Sequence, residues 1–265
     1  MTGLLNLTGK TALVTGIANN RSIAWGIAQK LHEAGASLGI TYLPDERDRN
    51  KGKVTDLVAP LNPDFLLPLN VQEDQLVDDL FAAVAAKWGK IDILVHCLAF
   101  ANKDELSGDF SNVSRAGFQL AMDVSAFSLI HLCRAAKPLM TEGGSIITLS
   151  YIGGARVVPN YNVMGVAKAA LEMNVRYLAA ELGAANIRVN GISAGPIRTL
   201  ASAAIGDFHK MLHHYETNSP LRRLVTQEEV GSAAAFLASD LAGAITGQIL
   251  YVDGGYEVTG APLSL

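Results

Sequence analysis

TALVTGIANNRSIAWGIA, residues 11–28, starts as an apolar strand and continues as an amphipathic helix. Gly16 ends the predicted strand, and Ser22 and Ile23 begin the predicted helix. Free backbone N–H groups at a helix N-terminus suit a pyrophosphate, and a glycine lets the ligand approach the chain closely. The usual G-x-G-x-x-G pattern is absent, because the only glycines within residues 11–28 are Gly16 and Gly26. The stretch therefore predicts either a dinucleotide-binding turn or a plain connection between a strand and a helix.

Short apolar runs alternate with longer helical stretches from this turn to about residue 190. Such alternation is typical of β-α-β units, and strands that are apolar almost throughout indicate a parallel sheet covered on both faces. We predict an α/β fold, a single Rossmann-like doubly wound domain over residues 1–265 with a seven-stranded parallel sheet. The predicted strands are 11–15, 37–42, 64–70, 91–97, 145–150, 187–192 and 248–253, and the main predicted helices are 22–35, 73–89, 118–140 and 161–183.

The alternation breaks between residues 193 and 225, where a long segment precedes the last predicted strand. Long insertions beside the last strands of a doubly wound sheet are candidates for ligand binding. We therefore expect a substrate-binding insertion at about residues 196–225.

Composition excludes several classes of partner. The chain has 265 residues, of which 49% are hydrophobic, and a formal net charge of −4. A chain of this charge without runs of Lys or Arg has no basic field for a phosphate backbone, so we expect no nucleic-acid partner. Its apolar runs are shorter than the roughly 18 to 20 residues that span a bilayer, so we expect no membrane segment. The N-terminal MTGLLNLTGK lacks the positive charge of a secretory signal, which favours a cytosolic protein.

The sequence contains no convincing set of metal ligands. Cys97 and Cys133 are too few for a disulfide framework or a zinc site, and we expect both to be reduced and buried. His209 and His213 share one helix face, but the Glu and the third ligand of a zinc motif are missing. We predict no metal site.

The third and fourth predicted strands end in Asn70-Val71 and in the run from Cys97 through Ala99 to Ala101. In a doubly wound sheet such strand ends line the ligand crevice, so these turns would face the adenine and the nicotinamide ribose of a dinucleotide. Small residues there would leave room for a cofactor. Ordinary packing at strand ends is the alternative.

The loop after the second strand bears on the choice between two nicotinamide cofactors. Asp45 and Glu46 would repel a 2′-phosphate, whereas Arg47 could pair with one. The balance mildly favours NADH over NADPH. Solvated loop charges are the alternative for all three residues.

PNYNVMGVAK, residues 159–168, places Tyr161 and Lys168 seven positions apart. Seven residues advance a helix by about 700°, so both side chains lie on nearly one face, two turns apart. A nearby ammonium would favour the ionised form of the phenol and could also bind a ribose hydroxyl. The alternative is a half-buried tyrosine and a solvated lysine that share a face by chance. A strand end at Tyr151 and the loop at Gly195-Pro196 would converge on the same sheet edge.

The order of these motifs resembles the short-chain dehydrogenase/reductase superfamily. Within it the chain is similar to the divergent branch formed by the enoyl-(acyl carrier protein) reductases of FabI type, which are bacterial and plastid enzymes. Ordinary members of the superfamily have Y-x3-K, but Gly165 stands at that position and the lysine follows at 168, as in the enoyl reductases. The matching motifs are TG-x5-SIA, LSY, Y-x6-K, NVRYLAAELG, RVN-x-ISAGPIRTLA and VDGG.

The resemblance implies reduction of the trans-2 double bond of an enoyl thioester on acyl carrier protein by NADH, with NADPH left open. It implies that Tyr161 stabilises the enolate, that Lys168 binds the nicotinamide ribose and that Tyr151 shapes the acyl pocket or assists the thioester. The implied cofactor contacts are Gly16, Ser22, Ile23, Asn70, Val71, Cys97, Ala99, Lys168, Ile197 and Thr199. The implied substrate contacts are Ala101, Tyr151, Tyr161, Leu200, Ala201, Ala204, Ile205 and Phe208.

The resemblance further implies a homotetramer in the bacterial cytoplasm, or in the plastid stroma if a targeting segment has been removed. Three positions depart from the family pattern. Asn70 replaces an Asp, so an adenine contact would use its amide oxygen; Ala99 replaces a Gly; and Leu43 replaces a polar residue near the adenosine ribose.

Two other functions remain open on the same fold, because the fold does not fix the reaction. One is a short-chain carbonyl reductase or alcohol dehydrogenase, against which the seven-residue spacing and Tyr151 argue. The other is a nucleotide-binding regulator without catalysis, against which the retained Tyr161 and Lys168 argue.

Overall fold

The computed structural model describes residues 5–199 and 208–260, apart from the side chain of Phe208. Its strands are β1 (Thr11–Val14), β2 (Ser37–Tyr42), β3 (Phe65–Pro68), β4 (Ile93–His96), β5 (Gly144–Ser150), β6 (Ile187–Ala194) and β7 (Ile249–Val252). They form one sheet in the order β3-β2-β1-β4-β5-β6-β7, and every neighbouring pair is parallel. The predicted seven-stranded parallel sheet is confirmed.

The helices are α1 (Ile23–Glu33), α2 (Arg49–Val58), α3 (Asp74–Trp88), α4 (Arg115–Met122), α5 (Ser128–Ala136), α6 (Asn162–Leu182), α7 (Phe208–Asn218) and α8 (Gln227–Ala238). They cover both faces of the sheet. Helices α1, α2 and α8 pack on one face, where their apolar side chains share a core with β1 and β2. Helices α3, α5 and α6 pack on the other face. Burial on both sides explains why the strands have almost unbroken apolar sequences.

The chain order reverses between β1 and β4. Strand β1 pairs with β2 on one side and with β4 on the other, so the connections after these two strands leave in opposite directions. A crevice opens at the carboxyl ends of the strands at such a reversal. The turn after Val14, the turn after His96 and the end of β5 all lie at this edge.

Helices α2 and α8 were not predicted. In α2 only Val54 and Val58 are buried, so its apolar stripe is too narrow to stand out in the sequence. Helix α8 has an N-terminal capping box, in which the Thr226 hydroxyl accepts from the Glu229 N–H and the Glu229 carboxylate accepts from the Thr226 N–H. This T-x-x-E pattern is a helix start signal that the sequence does contain.

Helices α4 and α5 are joined by a π-helical turn at Asp123–Phe127. The whole helical stretch Arg115–Leu139 is long and apolar enough to cross a membrane by length and composition alone, and half of its most apolar window is buried inside the protein. At 25 residues it is longer than expected, because we expected every apolar run to be shorter than the roughly 18 to 20 residues that span a bilayer. Such partial burial is also what a core helix of this fold shows, since α5 packs on the sheet with α3 and α6.

Candidate active site

The turn between β1 and α1 is held by its own side chains. The Ser22 hydroxyl accepts hydrogen bonds from the backbone N–H groups of Ala18 (3.0 Å) and Asn19 (3.2 Å). Ser22 is the N-cap residue of α1, but its side chain forms no hydrogen bond with the helix. The first N–H groups of α1, starting at Ile23, are therefore not satisfied by the Ser22 side chain.

Gly16 allows this turn to lie against the end of β4. Its φ is 88°, in the left-handed region that favours glycine, and a Cβ at this position would overlap the backbone carbonyl of Cys97. The N–H of Cys97 in turn donates to the Thr15 hydroxyl at 3.3 Å. The predicted cofactor residues Gly16 and Cys97 thus meet, although they are distant in sequence.

The other predicted strand-end residues follow β3 and β4. Val71 is buried in the core between β4 and α3, and Ala99 is exposed beyond Cys97. The Asn70 amide oxygen accepts from the Gln72 N–H at 3.2 Å, and its amide nitrogen donates to Glu73 at 2.6 Å. The amide oxygen through which Asn70 would contact adenine is therefore already used in a local turn.

The two cysteines differ from the expectation in one respect. Cys133 is buried, whereas Cys97 is only half-buried at the end of β4. Burial nevertheless raises the pKa of the Cys97 thiol to about 12. Both cysteines are free thiols. A neutral thiol at Cys97 is consistent with packing rather than nucleophilic chemistry.

Lys168 is buried, contrary to the ordinary behaviour of a lysine on a helix. Its Nζ donates a hydrogen bond of 2.6 Å to the backbone carbonyl of Leu149 at the end of β5. Burial lowers its pKa to about 8, against the opposing effect of the Glu172 carboxylate one turn further along α6. The ammonium is thus fixed at the carboxyl edge of the sheet.

Glu172 was not predicted as a site residue. It is 5% exposed, and it accepts a hydrogen bond of 2.6 Å from the Ser150 hydroxyl. Residues Leu149 and Ser150 of β5 are therefore tied to Lys168 and Glu172 of α6 by two successive hydrogen bonds. The i, i+4 spacing of a Lys and a Glu is present in the sequence, but their shared burial is not visible there.

A buried histidine lies below this pair. His96 is fully buried, and its two ring nitrogens contact the hydroxyls of Thr148 and Ser128, each at 2.8 Å. Burial, reinforced by the nearby Lys168 charge, lowers the pKa of His96 to about 3. The ring is therefore neutral and joins β4, β5 and α5 beneath Lys168.

Tyr161 is the residue immediately before α6 rather than part of its first turns. It is flanked by Asn160 and Asn162, which have φ angles of 63° and 38°. Asparagine tolerates this left-handed region better than most residues, so the N-Y-N sequence fits the tight entry into the helix. Burial raises the pKa of the Tyr161 phenol above its ordinary value.

This result corrects the expectation that Lys168 would favour ionised Tyr161. Desolvation outweighs any nearby positive charge, so the phenol stays protonated. Among the residues that the structure describes, none forms a hydrogen bond with the Tyr161 hydroxyl. The ring packs edge-on against Tyr151, with ring centroids 4.8 Å apart.

Tyr151 belongs to an aromatic cluster that the sequence analysis did not predict. Its hydroxyl lies 2.9 Å from the hydroxyl of Tyr215 and 3.3 Å from the sulfur of Met211, both on α7. The Tyr215 ring stacks on Tyr256 at 3.8 Å between centroids. Burial raises the pKa of Tyr151 to about 12. Met211 and Tyr215 lie 60 and 64 residues away from Tyr151 in the chain, so no local signal reveals them.

The structure gives a physical reason for the unusual spacing between Tyr161 and the lysine. A Cβ at Gly165 would lie 2.9 Å from the backbone carbonyl of Gly153, in the short turn Ile152–Gly154 that follows β5. A side chain at 165 would therefore meet this turn instead of the crevice. Lys168, one turn further, reaches the end of β5.

The insertion is described only in part. Ile197 packs against the core next to the end of β6, and the Thr199 N–H donates to the Ile197 carbonyl at 2.8 Å. Phe208 is the first residue of α7, and nothing is described of its side chain. The predicted substrate residues Leu200, Ala201, Ala204 and Ile205 lie outside the described residues. Ala101 is half-buried and packs near Tyr151 and Tyr161.

Asp45, in the loop after β2, has local partners. The Asp45 carboxylate accepts from the N–H of Asn50 at 2.8 Å and lies 3.4 Å from the Arg49 guanidinium. These contacts lower the pKa of Asp45, the hydrogen bond from Asn50 most of all. Asp45 thus supports the start of α2, so its sequence position alone does not decide between NADH and NADPH.

The histidines of α7 do not come together with other metal-ligand residues. Within 5–199 and 208–260, no group of three or more His, Cys, Asp or Glu side chains is arranged to hold a metal ion. The Nε2 of His214 instead lies 3.0 Å from the Tyr256 hydroxyl, and its Nδ1 lies 3.2 Å from the Asn218 amide.

The order reversal between β1 and β4, with a glycine turn at that point, defines the chain as a Rossmann-type dinucleotide-binding protein. A family profile described as enoyl-(acyl carrier protein) reductase matches residues 16–257. The chain belongs to this family, and the resemblance stated from its motifs is confirmed.

Individual relatives agree over nearly the full length. The NADH-dependent enoyl-acyl-carrier-protein reductase FabI of Nostoc sp. is 70% identical over 97% of this chain and 100% of its own. The Bacillus cereus enoyl-acyl carrier protein reductase, solved with NADP+ and indole naphthyridinone, has 52% identity and a TM-score of 0.93, over 96% of this chain and 99% of that one. The Anaplasma phagocytophilum enzyme, solved with NAD, has 46% identity and a TM-score of 0.93, over 97% of each chain.

Proposed function

We propose that this protein reduces the trans-2 double bond of enoyl thioesters carried by acyl carrier protein, using NADH, as the last step of fatty-acid elongation. The observation that carries the proposal is that Tyr161, buried and protonated, stands at the N-cap of α6, while Lys168 on the same helix is buried and bonded to the end of β5. Membership of the enoyl-(acyl carrier protein) reductase family supports it.

The residues present fit a nicotinamide dinucleotide. The close contact between Gly16 and the Cys97 backbone holds the ends of β1 and β4 together, and the N-terminus of α1 offers N–H groups suited to a pyrophosphate. We propose that Gly16, Ser22 and Ile23 contact the phosphates and that Lys168 binds the nicotinamide ribose. The remaining proposed cofactor contacts are Asn70, Val71, Cys97, Ala99, Ile197 and Thr199. When bound, NADH would supply the hydride that reaches the β-carbon.

Tyr161 would act on the thioester carbonyl. As the β-carbon is reduced, negative charge develops on the carbonyl oxygen, and a fixed neutral donor lowers the energy of that enolate. Burial keeps the Tyr161 proton in place at neutral pH, so the phenol donates without being an acid of matched pKa. Lys168 adds positive potential at the same edge while its pKa of about 8 keeps it mostly charged at pH 7.

Tyr151 would form one wall of the acyl pocket or assist Tyr161 at the thioester carbonyl. Its ring lies edge-on to Tyr161, and both rings belong to a cluster of buried residues with Leu106, Val163 and Met164. The segment 196–225 would supply another wall, because α7 places Met211 and Tyr215 against Tyr151. We extend the proposal to Ala101, Leu200, Ala201, Ala204, Ile205 and Phe208 as substrate contacts.

We further propose a homotetramer in the bacterial cytoplasm, with the plastid stroma as the alternative setting. The named relatives that support this setting are bacterial. Exposed apolar side chains are available for subunit contacts, including Met173 and Tyr177 on α6 and Leu250 on the edge strand β7. Sedimentation equilibrium would test the assembly, and a monomer at micromolar concentration would contradict it.

The reaction is tested by following NADH and NADPH oxidation with crotonyl and acetoacetyl thioesters in parallel. We expect rapid oxidation of NADH with the crotonyl substrate and little with the acetoacetyl substrate. Oxidation with the acetoacetyl substrate alone would show a carbonyl reductase. Tight NADH binding without turnover of either substrate would show a nucleotide-binding regulator.

A further inference from the structure

Helix α7 brings a third tyrosine into the proposed acyl pocket. Tyr215 is 3% exposed, and its hydroxyl lies 2.9 Å from the hydroxyl of Tyr151. Its ring is held by stacking on Tyr256, with centroids 3.8 Å apart and ring planes inclined by 23°. A buried phenol held this way has little freedom to choose another hydrogen-bond partner.

The direction of this hydrogen bond follows from the third group present. The Tyr151 hydroxyl also lies 3.3 Å from the sulfur of Met211, and a thioether sulfur can only accept. Tyr151 therefore donates its proton toward Met211 and accepts the proton of Tyr215. Burial raises the pKa of both phenols, so each keeps the proton that this arrangement needs.

The Met211 sulfur is a weak acceptor for the Tyr151 proton. A carbonyl oxygen that reached the same hydroxyl would be a stronger one. A hydroxyl that already accepts a hydrogen bond is polarised and becomes a better donor. Tyr215 is thus placed to make Tyr151 a stronger and better-directed donor toward an incoming carbonyl.

We propose that Tyr215 is a positioning residue for Tyr151, which directs the Tyr151 proton toward the thioester carbonyl of the substrate. The inference rests on the proposed function and on its second option for Tyr151, in which this residue assists Tyr161 at the thioester carbonyl; the centroids of the two rings lie 4.8 Å apart. Tyr215 itself need not touch substrate or cofactor. Its contribution is the hydrogen bond that it donates to the Tyr151 hydroxyl, which leaves the Tyr151 proton free to be donated to the substrate.

The test is a double-mutant cycle measured with crotonyl thioester and NADH. Tyr215→Phe keeps the ring and its stacking on Tyr256 but removes the hydroxyl. We expect kcat to fall about three- to tenfold, the value of one neutral hydrogen bond, with the Kd for NADH unchanged. In a Tyr151→Phe background the same substitution is expected to have no further effect on kcat.

Tyr256→Phe is the matched control. It removes a hydroxyl from the adjacent ring of the same stack, where the partner is His214 at 3.0 Å and not Tyr151. We expect its kcat to stay within about twofold of the unmodified protein, less than the loss of one hydrogen bond. A loss equal to that of Tyr215→Phe would overturn the inference, because it would indicate a general loosening of the cluster.

Two further outcomes separate the inference from the proposed function. Equal loss from Tyr215→Phe with and without the Tyr151 hydroxyl would overturn the positioning role and leave the proposed function intact. Unchanged kcat in Tyr151→Phe alone would overturn the role proposed for Tyr151, and the inference would fall with it.

Discussion

The proposed nucleotide side of the crevice, around Gly16 and Ser22, presents backbone groups, whereas the proposed substrate side, around Tyr161 and Lys168, presents buried titratable side chains. On the first side the shape depends on how closely two chain segments approach, as at Gly16 and Cys97. On the second side the chemistry depends on how burial shifts the pKa of each group, which it lowers at Lys168 and raises at Tyr161. Damage to the first side should therefore affect folding and binding, and damage to the second should affect turnover and pH dependence.

The largest effect is expected from Gly16→Ala. The new Cβ would overlap the Cys97 carbonyl in a backbone conformation that L side chains rarely adopt. We expect a loss of about 3 kcal/mol or more in the free energy of unfolding, measured by chemical denaturation, together with loss of NADH binding. Gly52→Ala, in α2 with open space around it, is the control and should gain up to about 1 kcal/mol. A stable Gly16→Ala protein with normal NADH affinity would contradict the role given to the close contact between Gly16 and Cys97.

Tyr161→Phe should affect turnover without affecting the nucleotide side. Removing the donor to the developing enolate is expected to lower kcat by about 10² to 10³, the effect of losing one oxyanion donor. The Kd for NADH, measured by fluorescence titration, should change by less than about twofold, since the lost group contributes only to the transition state. Parallel losses in kcat and in NADH affinity would show that the tyrosine is structural.

Lys168→Met should show the opposite pattern. Loss of a charged hydrogen-bond donor to the ribose is expected to weaken NADH binding by about ten- to a hundredfold. Methionine preserves most of the buried length of the side chain, so thermal unfolding serves as the folding control. Unchanged NADH affinity would contradict the assigned ribose contact.

The smallest effect is expected from Glu172→Gln, which should change how NADH binding at Lys168 depends on pH. Because the pKa of Lys168 is about 8, NADH affinity should fall as the pH rises through that value, where the ammonium loses its proton. Glu172→Gln keeps an acceptor for Ser150 but removes the charge that opposes the effect of burial. We expect the fall in affinity to move to lower pH, by up to about one unit at the energy of a weak ion pair.

The free energy of unfolding should change with pH in the opposite direction to the NADH affinity. The folded pKa of Lys168 lies below its ordinary value of 10.5, so the unfolded chain binds the extra proton between pH 8 and 10.5. The contribution of this group to the free energy of unfolding therefore rises with pH across that window. Glu181→Gln, at an exposed pair with Lys137 on the surface of α6, is the control and should move neither curve.

The fold was predictable from the sequence because its signals are local. Each strand of the sheet lies at a predicted apolar run, and the glycine turn after β1 lies where the strand signal gives way to the helix signal. Helix α2 was not predicted because only two of its residues are buried. The T-x-x-E box before α8 shows that one missed element had a usable signal.

The catalytic part of the candidate site was predictable where its residues are close in sequence. Tyr161, at the N-cap of α6, and Lys168, within α6, were found from their spacing, and their roles stay predictions. Tyr215 was missed because it meets Tyr151 across 64 residues. The protonation of Tyr161 was predicted in the wrong direction, because burial depends on packing that no spacing rule contains.

One contact of the turn between β1 and α1 bears on how the protein folds during its synthesis. The side-chain amide of Gln227, in the first turn of α8, donates at 2.6 Å to the backbone carbonyl of Ser22, 205 positions earlier. A ribosome adds residues one at a time, at about 5 to 20 each second, so the turn at Ser22 has been synthesised for about 10 to 40 seconds before this partner exists. We expect nascent chains that end before residue 227 to have the β1-α1 turn without its final support.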